Sequence, residues 1–209
     1  KILFVNSWQN RYVTSKTSAV VGDTETSAKA ASTTNIKVTN TGSALTAETV
    51  VVDGGKDVTV VSKNNIADTI AVGATTTAAG KVSVTSTGGT ANGDTQGNIA
   101  VTGGTEITVN QYAGNAAATG NNTIGGTVTV TGNASTTTVT VNQTATATGA
   151  NATATTAGVV GYTAGTVTIA DVNAGTANAN TISTVTLKNA GAATVQSNAL
   201  STLNLEGTL

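Results

Sequence analysis

Residues 125–143 constrain the fold of this chain more than any other segment. They read G-G-T-V-T-V-T-G-N-A-S-T-T-T-V-T-V-N-Q, with valine and threonine in strict alternation on either side of a turn. The alternating valines are Val128, Val130, Val139 and Val141. A two-residue period sends successive side chains to opposite faces of a strand, so each run predicts a half-buried β-strand. The same pattern, with threonine as the polar partner, recurs over most of the chain.

From Asn35 onward, short runs of this kind are separated by Gly, Asn and Asp at a spacing of about 8 to 12 residues. The segment Asp53-Gly54-Gly55-Lys56 lies between two valine-rich runs and predicts a β-hairpin. Near the C-terminus, a T-[VL]-x-[LS] frame begins at Thr184, Thr194 and Thr202 and is typical of stacked parallel rungs. We therefore predict an all-β chain of short-strand modules, folded as an Ig-like β-sandwich and/or an elongated β-solenoid.

These patterns also predict a division of the chain. Residues 1–34 are expected to form an N-terminal strand or arm and a linker. Residues 35–112 are expected to form a first β module, and residues 113–209 a second β module that is solenoid-like towards its end. No helical stripe is long enough to compete with these assignments.

Composition excludes several classes of function. The 209 residues include no His, Cys, Met or Pro, and only 9% are charged. Without His or Cys the usual general bases and nucleophiles are missing, so we predict that the chain is not an enzyme. A net charge of −1 argues against nucleic-acid binding, and no apolar run of about 20 residues predicts a transmembrane helix. The absence of Cys favours a bacterial extracellular protein, and the start at Lys1 suggests a processed or partial chain.

The N-terminal segment differs from the rest because it holds three of the five aromatic residues. Its apolar side chains are Ile2, Phe4, Trp8 and Tyr12. One interpretation is a terminal strand that closes the first module. The other is an exposed strand that docks on a neighbouring subunit by β-augmentation, which makes these residues a candidate assembly interface.

Four aspartates are the candidate ligands for a metal ion. They are Asp53, Asp57, Asp94 and Asp171. Calcium takes six to eight oxygen ligands, usually from several converging carboxylates. The acids of this chain come singly or in loose pairs, so these aspartates are weak calcium candidates. Their alternative role is that of turn formers, since Asp side chains accept hydrogen bonds from nearby backbone N–H groups.

Three segments carry a resemblance to a known family: residues 125–143, A-G-T-V-T-I-A-D-V-N at 164–173, and I-S-T-V-T-L-K-N at 182–189. They resemble the Thr/Ala/Gly/Asn-rich β-strand-repeat proteins of Gram-negative bacteria, which include surface-layer (S-layer) and S-layer-like exported proteins. The resemblance implies a secreted, self-assembling extracellular lattice on the bacterial cell surface, often dependent on calcium. In that family calcium is commonly held by G-G-x-G-x-D repeats, of which residues 88–94 are a degraded version.

The function expected from these observations is structural self-assembly into a bacterial surface layer or S-layer-like lattice. The partner would be a second copy of the chain, with cell-surface polysaccharide as a further candidate. Two alternatives stay open: the stalk or passenger domain of an adhesin, and a filament subunit joined by strand exchange.

Overall fold

The computed structural model describes residues 11–15, 19–21, 33–42, 47–89, 91, 93–114, 122–144 and 161–207. Every regular element in these ranges is a β-strand. In chain order the strands are β1 (Arg11–Ser15), β2 (Ala19–Val21), β3 (Ile36–Asn40), β4 (Thr49–Val52), β5 (Val58–Asn65), β6 (Thr69–Val72), β7 (Val82–Gly88), β8 (Ile99–Thr102), β9 (Glu106–Tyr112), β10 (Asn122–Ile124), β11 (Val128–Thr131), β12 (Thr138–Thr144), β13 (Gly161–Thr163), β14 (Val167–Ala170), β15 (Thr184–Lys188), β16 (Ala193–Gln196) and β17 (Thr202–Glu206).

The strands form two large parallel sheets and one small one. The first sheet has eight strands in the order β1-β3-β5-β7-β9-β12-β15-β17, and the second has seven in the order β2-β4-β6-β8-β11-β14-β16. Strands β10 and β13 form a separate parallel pair. Consecutive strands of the chain therefore alternate between the two large sheets, apart from this pair. Within each large sheet, a strand pairs with the strands of the preceding and following passes.

This pairing corrects the fold class predicted from the sequence. Short-strand modules in an Ig-like β-sandwich and/or an elongated β-solenoid were expected, and that prediction is wrong. An Ig-like sandwich is built from antiparallel strands, whereas the described strands form parallel sheets of eight, seven and two strands. The predicted hairpin at 53–56 is also wrong, since β4 and β5 lie in different sheets. Gly54 (φ 76°) and Gly55 (φ 89°) instead turn the chain from the second sheet into the first.

The core is made of aligned rows of small branched side chains. Because parallel partners are in register, each inward position of one strand lies beside an inward position of the next. Two such rows run through the first sheet: Ile36, Val58, Val82, Ile107, Val139 and Val185, and Val38, Val60, Val84, Val109, Val141 and Leu187. The inward side chains of both large sheets join one hydrophobic cluster. The predicted boundary at 112/113 stays a prediction.

A third inward row of the first sheet is polar. It consists of Asn40, Ser62, Ser86, Gln111 and Gln143, which are neighbours in the strand register and are fully buried. Nearby backbones pack very closely, since a Cβ added at Gly126 would meet the carbonyl oxygen of Gly97. The interior therefore has an apolar part and a polar part, and the polar part needs hydrogen-bond partners.

Candidate functional site

The outermost strand of the first sheet, β17, differs from the other strands of that sheet whose side chains are described. Among the described strands it pairs with β15 alone, and all five of its residues are exposed. Leu203 and Leu205 lie beside Val185 and Leu187 in the register, yet they are 48% and 52% exposed. The two apolar rows of the core thus end on half-exposed leucines beside an unpaired strand edge.

The outward face of the first sheet carries few charges. Thr108, Thr140 and Thr186 stand side by side on adjacent strands. Two ion pairs are present in the described part of the chain: Lys81 Nζ lies 2.8 Å from Glu106 Oε2, and Lys188 Nζ lies 3.6 Å from Glu206 Oε2. Both pairs are solvent-exposed, so they neutralise charge on this face without contributing much stability.

The N-terminal aromatic segment can be placed only in part. Ile2, Phe4 and Trp8 lie outside the described residues. Tyr12 is on β1, beside Lys37 in the register, and its side chain is 76% exposed. Tyr12 therefore lies on the outward side of the first sheet, and its role as an interface residue stays a prediction.

Two of the predicted calcium ligands join consecutive turns of the chain. Asp53 is buried, and its Oδ1 accepts hydrogen bonds from the N–H groups of Thr75 (2.8 Å) and Thr76 (3.2 Å). Asp57 Oδ1 accepts the N–H of Lys81 at 2.9 Å. Each aspartate thus fixes a turn of the following pass, about 22 to 24 residues further along the chain.

The other two predicted ligands are also engaged with backbone groups. Asp94 Oδ2 accepts the N–H of Ala91 at 2.8 Å. Asp171 is buried, and its carboxylate accepts the N–H groups of Val172, Thr181 and Ile182. The four aspartates do not converge: within the described ranges, no three His, Cys, Asp or Glu side chains group in a way that would hold a metal ion.

The hydrogen bonds at Asp171 also set its acidity. Burial raises the pKa of a carboxylate, but the N–H groups of Ile182, Thr181 and Val172 and the hydroxyl of Ser197 favour the charged form. The net effect is a pKa below the ordinary value. Asp171 therefore stays ionised and ties the segment 172–182 to the end of β14.

Sequence reasoning missed a pair of buried carboxylates. Glu48 and Asp68 stand just before the adjacent strands β4 and β6, and both are buried. The N–H of Glu48 donates to Asp68 Oδ1 at 2.8 Å, and the Asn40 amide donates to Glu48 Oε2 at 2.8 Å. Nothing in the local sequence marks these acids, because both are followed by the threonine that begins an ordinary strand. Only the parallel stacking brings them together.

The glutamines of the polar row are hydrogen-bonded. Gln143 Nε2 donates to Gln111 Oε1 at 2.7 Å, and Gln111 Nε2 donates to the carbonyl of Gly126 at 3.2 Å. Tyr162 donates its hydroxyl proton to Gln96 Oε1 at 3.1 Å, and burial raises the pKa of this phenol. Gln111 and Gln143 thus have hydrogen-bond partners, whereas Glu48 Oε1, Asp68 Oδ2 and Ser62 Oγ are buried without one.

Comparison with known proteins gives no family assignment: no protein-family model and no curated protein matches the chain. In the part of the chain that the structure describes, no helix is of a length and hydropathy that would cross a bilayer.

Proposed function

We propose that this chain is a structural, self-assembling extracellular protein that forms part of a bacterial surface layer or an S-layer-like lattice. The observation that carries the proposal is β17, an edge strand that is paired on one side only among the described strands and that carries two half-exposed leucines. Those leucines continue rows that are buried in the neighbouring strand. A surface of this kind is completed when another strand pairs with it.

The physical reason lies in the strand edge and the leucines together. An unpaired edge presents a row of N–H and C=O groups that pair readily with another chain. Burying a leucine side chain fully contributes about 1.5–3 kcal/mol, and Leu203 and Leu205 are each about half-way from that state. A second copy that adds a strand beside β17 would form backbone hydrogen bonds at this edge and would also bury the two leucines.

The charges of the surface are compatible with close packing of copies. After Lys81 the only cation is Lys188, and the acids are Asp94, Glu106, Asp171 and Glu206. Glu106 and Glu206 are ion-paired, and Asp171 is buried. Little unpaired charge is left on this part of the molecule to keep copies apart.

The experiment compares the chain with two lysine variants of β17. Leu205→Lys places a charge in the apolar row, whereas Asn204→Lys adds the same charge one residue away on the outward face. Light scattering and sedimentation over a range of concentrations should show self-association of the unchanged chain. We expect Leu205→Lys to weaken it roughly tenfold or more, and Asn204→Lys to leave it nearly unchanged. Equal effects of the two variants would mean that the apolar row of β17 is not the contact between copies.

Electron microscopy of the assembled material separates the lattice from its alternatives. Sheets or tubes support the lattice, single rods favour an adhesin stalk, and fibres favour a filament joined by strand exchange. A chain that stays monomeric at every concentration, with and without calcium, would contradict self-assembly. Binding to purified cell-wall polysaccharide is a separate measurement, since that partner rests on the resemblance alone.

A further inference from the structure

The carboxylates of Glu48 and Asp68 form a buried acidic pair at the start of two adjacent strands. Asp68 is fully buried and Glu48 nearly so. One oxygen of each is engaged: Glu48 Oε2 by the Asn40 amide and Asp68 Oδ1 by the N–H of Glu48, both at 2.8 Å. The other two oxygens, Glu48 Oε1 and Asp68 Oδ2, are buried without a hydrogen-bond partner. Two adjacent carboxylates thus each keep one oxygen unused.

The described surroundings of the pair supply no positive charge. Asn40 on β3, Ser62 and Asn65 on β5 and Ser86 on β7 face it, and all four are neutral. The cation of β5, Lys63, follows the buried Ser62 and lies on the exposed side of the strand. Both ion pairs of the described residues lie elsewhere. An ionised pair would therefore be two uncompensated buried charges, which is a costly arrangement.

We propose that Glu48 and Asp68 share a single proton, carried on Asp68, whose Oδ2 is buried without a hydrogen-bond partner. When this proton is bound, the pair carries one negative charge instead of two. When the pH rises, the proton passes to solvent and leaves two uncompensated buried carboxylates. The pair is then a pH-sensitive element within the fold, with greater stability in acid than at neutral pH.

A metal ion is the competing occupant, and the count of oxygens argues against it. Ser62 Oγ is the third buried oxygen without a partner in this part of the interior. Three free oxygens fall short of the six to eight that calcium takes. A proton needs only one such oxygen, and Asp68 Oδ2 supplies it.

The acidity of Asp68 supports the direction of the effect. Burial raises its pKa to about 6, the N–H of Glu48 partly opposes this, and the negative charge of Glu48 raises it further. In the unfolded chain the value is about 3.9. The folded state binds more protons between these values, so stability is full below about pH 4 and is lost as the pH rises through about 6. This difference between the folded and unfolded pKa values of Asp68 corresponds to a roughly 100-fold change in the unfolding equilibrium constant.

The test compares the chain with Asp68→Asn, which imitates the protonated acid at every pH. Asparagine keeps an oxygen for the N–H of Glu48 and carries no charge. Urea unfolding at about pH 4 and about pH 7 gives the ratio of the unfolding constants of the two proteins. We expect this ratio, unchanged chain over variant, to rise roughly 100-fold between the two pH values. A ratio that does not change with pH would overturn the proposal.

A second measurement decides the question without relying on the stability of a variant. The ¹³C shift of the Asp68 carboxyl carbon, followed by NMR, should titrate near pH 6 in the unchanged chain. In Glu48→Gln the midpoint should fall, because the neighbouring negative charge that raises the pKa of Asp68 is gone. An ordinary midpoint in the unchanged chain would rule out a shared proton.

The same titrations with millimolar calcium chloride and with a chelator address the metal ion. The proposal predicts that neither addition changes the ratio of unfolding constants. If calcium raises the stability of the unchanged chain at neutral pH and leaves Asp68→Asn unaffected, the pair is a cation site and the shared proton is excluded.

Discussion

Asp68 and Asp171 are both buried carboxylates just outside strands of the second sheet, and their surroundings drive their acidities in opposite directions. Asp171 accepts three backbone N–H groups and the Ser197 hydroxyl, and its pKa is lowered. Asp68 accepts one N–H, has an unpartnered oxygen and lies beside the Glu48 carboxylate, and its pKa is raised to about 6. The two carboxylates are similar in burial, but they differ in the hydrogen-bond donors and the charges around them.

The difference shows which feature of a fold makes a buried charge stabilising. At Asp171 the segment after β14 returns over the carboxylate, so that Thr181 and Ile182 both direct N–H groups at Oδ2. At Asp68 the neighbouring pass brings a second acid instead of a second donor. A carboxylate that accepts several N–H groups favours the charged form, whereas a nearby like charge favours the protonated one.

The largest expected effect comes from removing the well-bonded carboxylate. Asp171→Ala leaves the buried N–H of Ile182 and the Ser197 hydroxyl without this acceptor. We expect a loss of about 3 kcal/mol in the free energy of unfolding at neutral pH, because hydrogen bonds to charged groups are among the strongest. Urea unfolding followed by circular dichroism measures it.

The matched control for that variant is Asp94→Ala. Asp94 is less buried, and its carboxylate accepts a hydrogen bond from the exposed N–H of Ala91. We expect a loss below about 1 kcal/mol. Similar losses for Asp94→Ala and Asp171→Ala would mean that the N–H groups around Asp171 do not set its contribution.

The second prediction uses pH to separate the two carboxylates. Because the pKa of Asp171 is lowered on folding, its contribution is present above about pH 4 and is lost as the pH falls through the folded value. Asp171→Asn should therefore cost about 2 kcal/mol at neutral pH and progressively less in strong acid. This dependence is opposite in sign to the one expected at Asp68. A cost that stays constant from about pH 7 to pH 2 would contradict the lowered pKa.

The sequence predicted most strands but not their partners. The valine–threonine alternation of residues 125–143 located β11 (Val128–Thr131) and β12 (Thr138–Thr144). Alternation has the same period in parallel and antiparallel sheets, so it could not indicate which strand pairs with which. The short strand β2, Ala19–Val21, lies in a segment interpreted as linker, because three residues are too few to establish a period.

The hydrogen bonds and contacts of the interior were harder to predict from the sequence than the strands. Asp53 and Asp57 accept N–H groups of the following pass, 22 to 24 residues further along the chain, and a local sequence pattern could not indicate such distant partners. The pairing of Glu48 with Asp68 depends on a spacing of 20 residues between neighbouring passes. That spacing varies along the chain: Asp53 reaches Thr75, 22 residues on, whereas Gln111 reaches Gln143, 32 residues on. No fixed repeat length was present in the sequence to align the two acids.

The third prediction tests the frame that holds Asp68. Asn65 Nδ2 donates to the Asp68 carbonyl and to Ser86 Oγ, both at 3.0 Å, and its Oδ1 accepts the N–H of Asp68 (2.9 Å) and of Gly97 (3.0 Å). Asn65→Ala should cost about 1.5 kcal/mol. Asn98→Ala, which removes a bond to the exposed Thr127 N–H, is the control with a smaller expected loss. If the Asp68 midpoint is unchanged in Asn65→Ala, the frame does not position the acid.

The smallest effect is expected from removing one of the hydrogen-bond donors around Asp171. Ser197 Oγ lies 3.1 Å from Asp171 Oδ2 and 2.9 Å from the Ile182 carbonyl, so Ser197→Ala removes one neutral donor and leaves the three N–H groups in place. The loss should be about 1 kcal/mol, and the pKa of Asp171 should rise because one interaction with its charged form is gone. Ser201→Ala is the control: its hydroxyl donates to the Ser183 carbonyl at 3.0 Å on the exposed side. A rise in the Asp171 pKa in Ser197→Ala but not in Ser201→Ala would establish that each donor contributes separately, whereas equal behaviour would mean that the backbone N–H groups alone keep this carboxylate ionised.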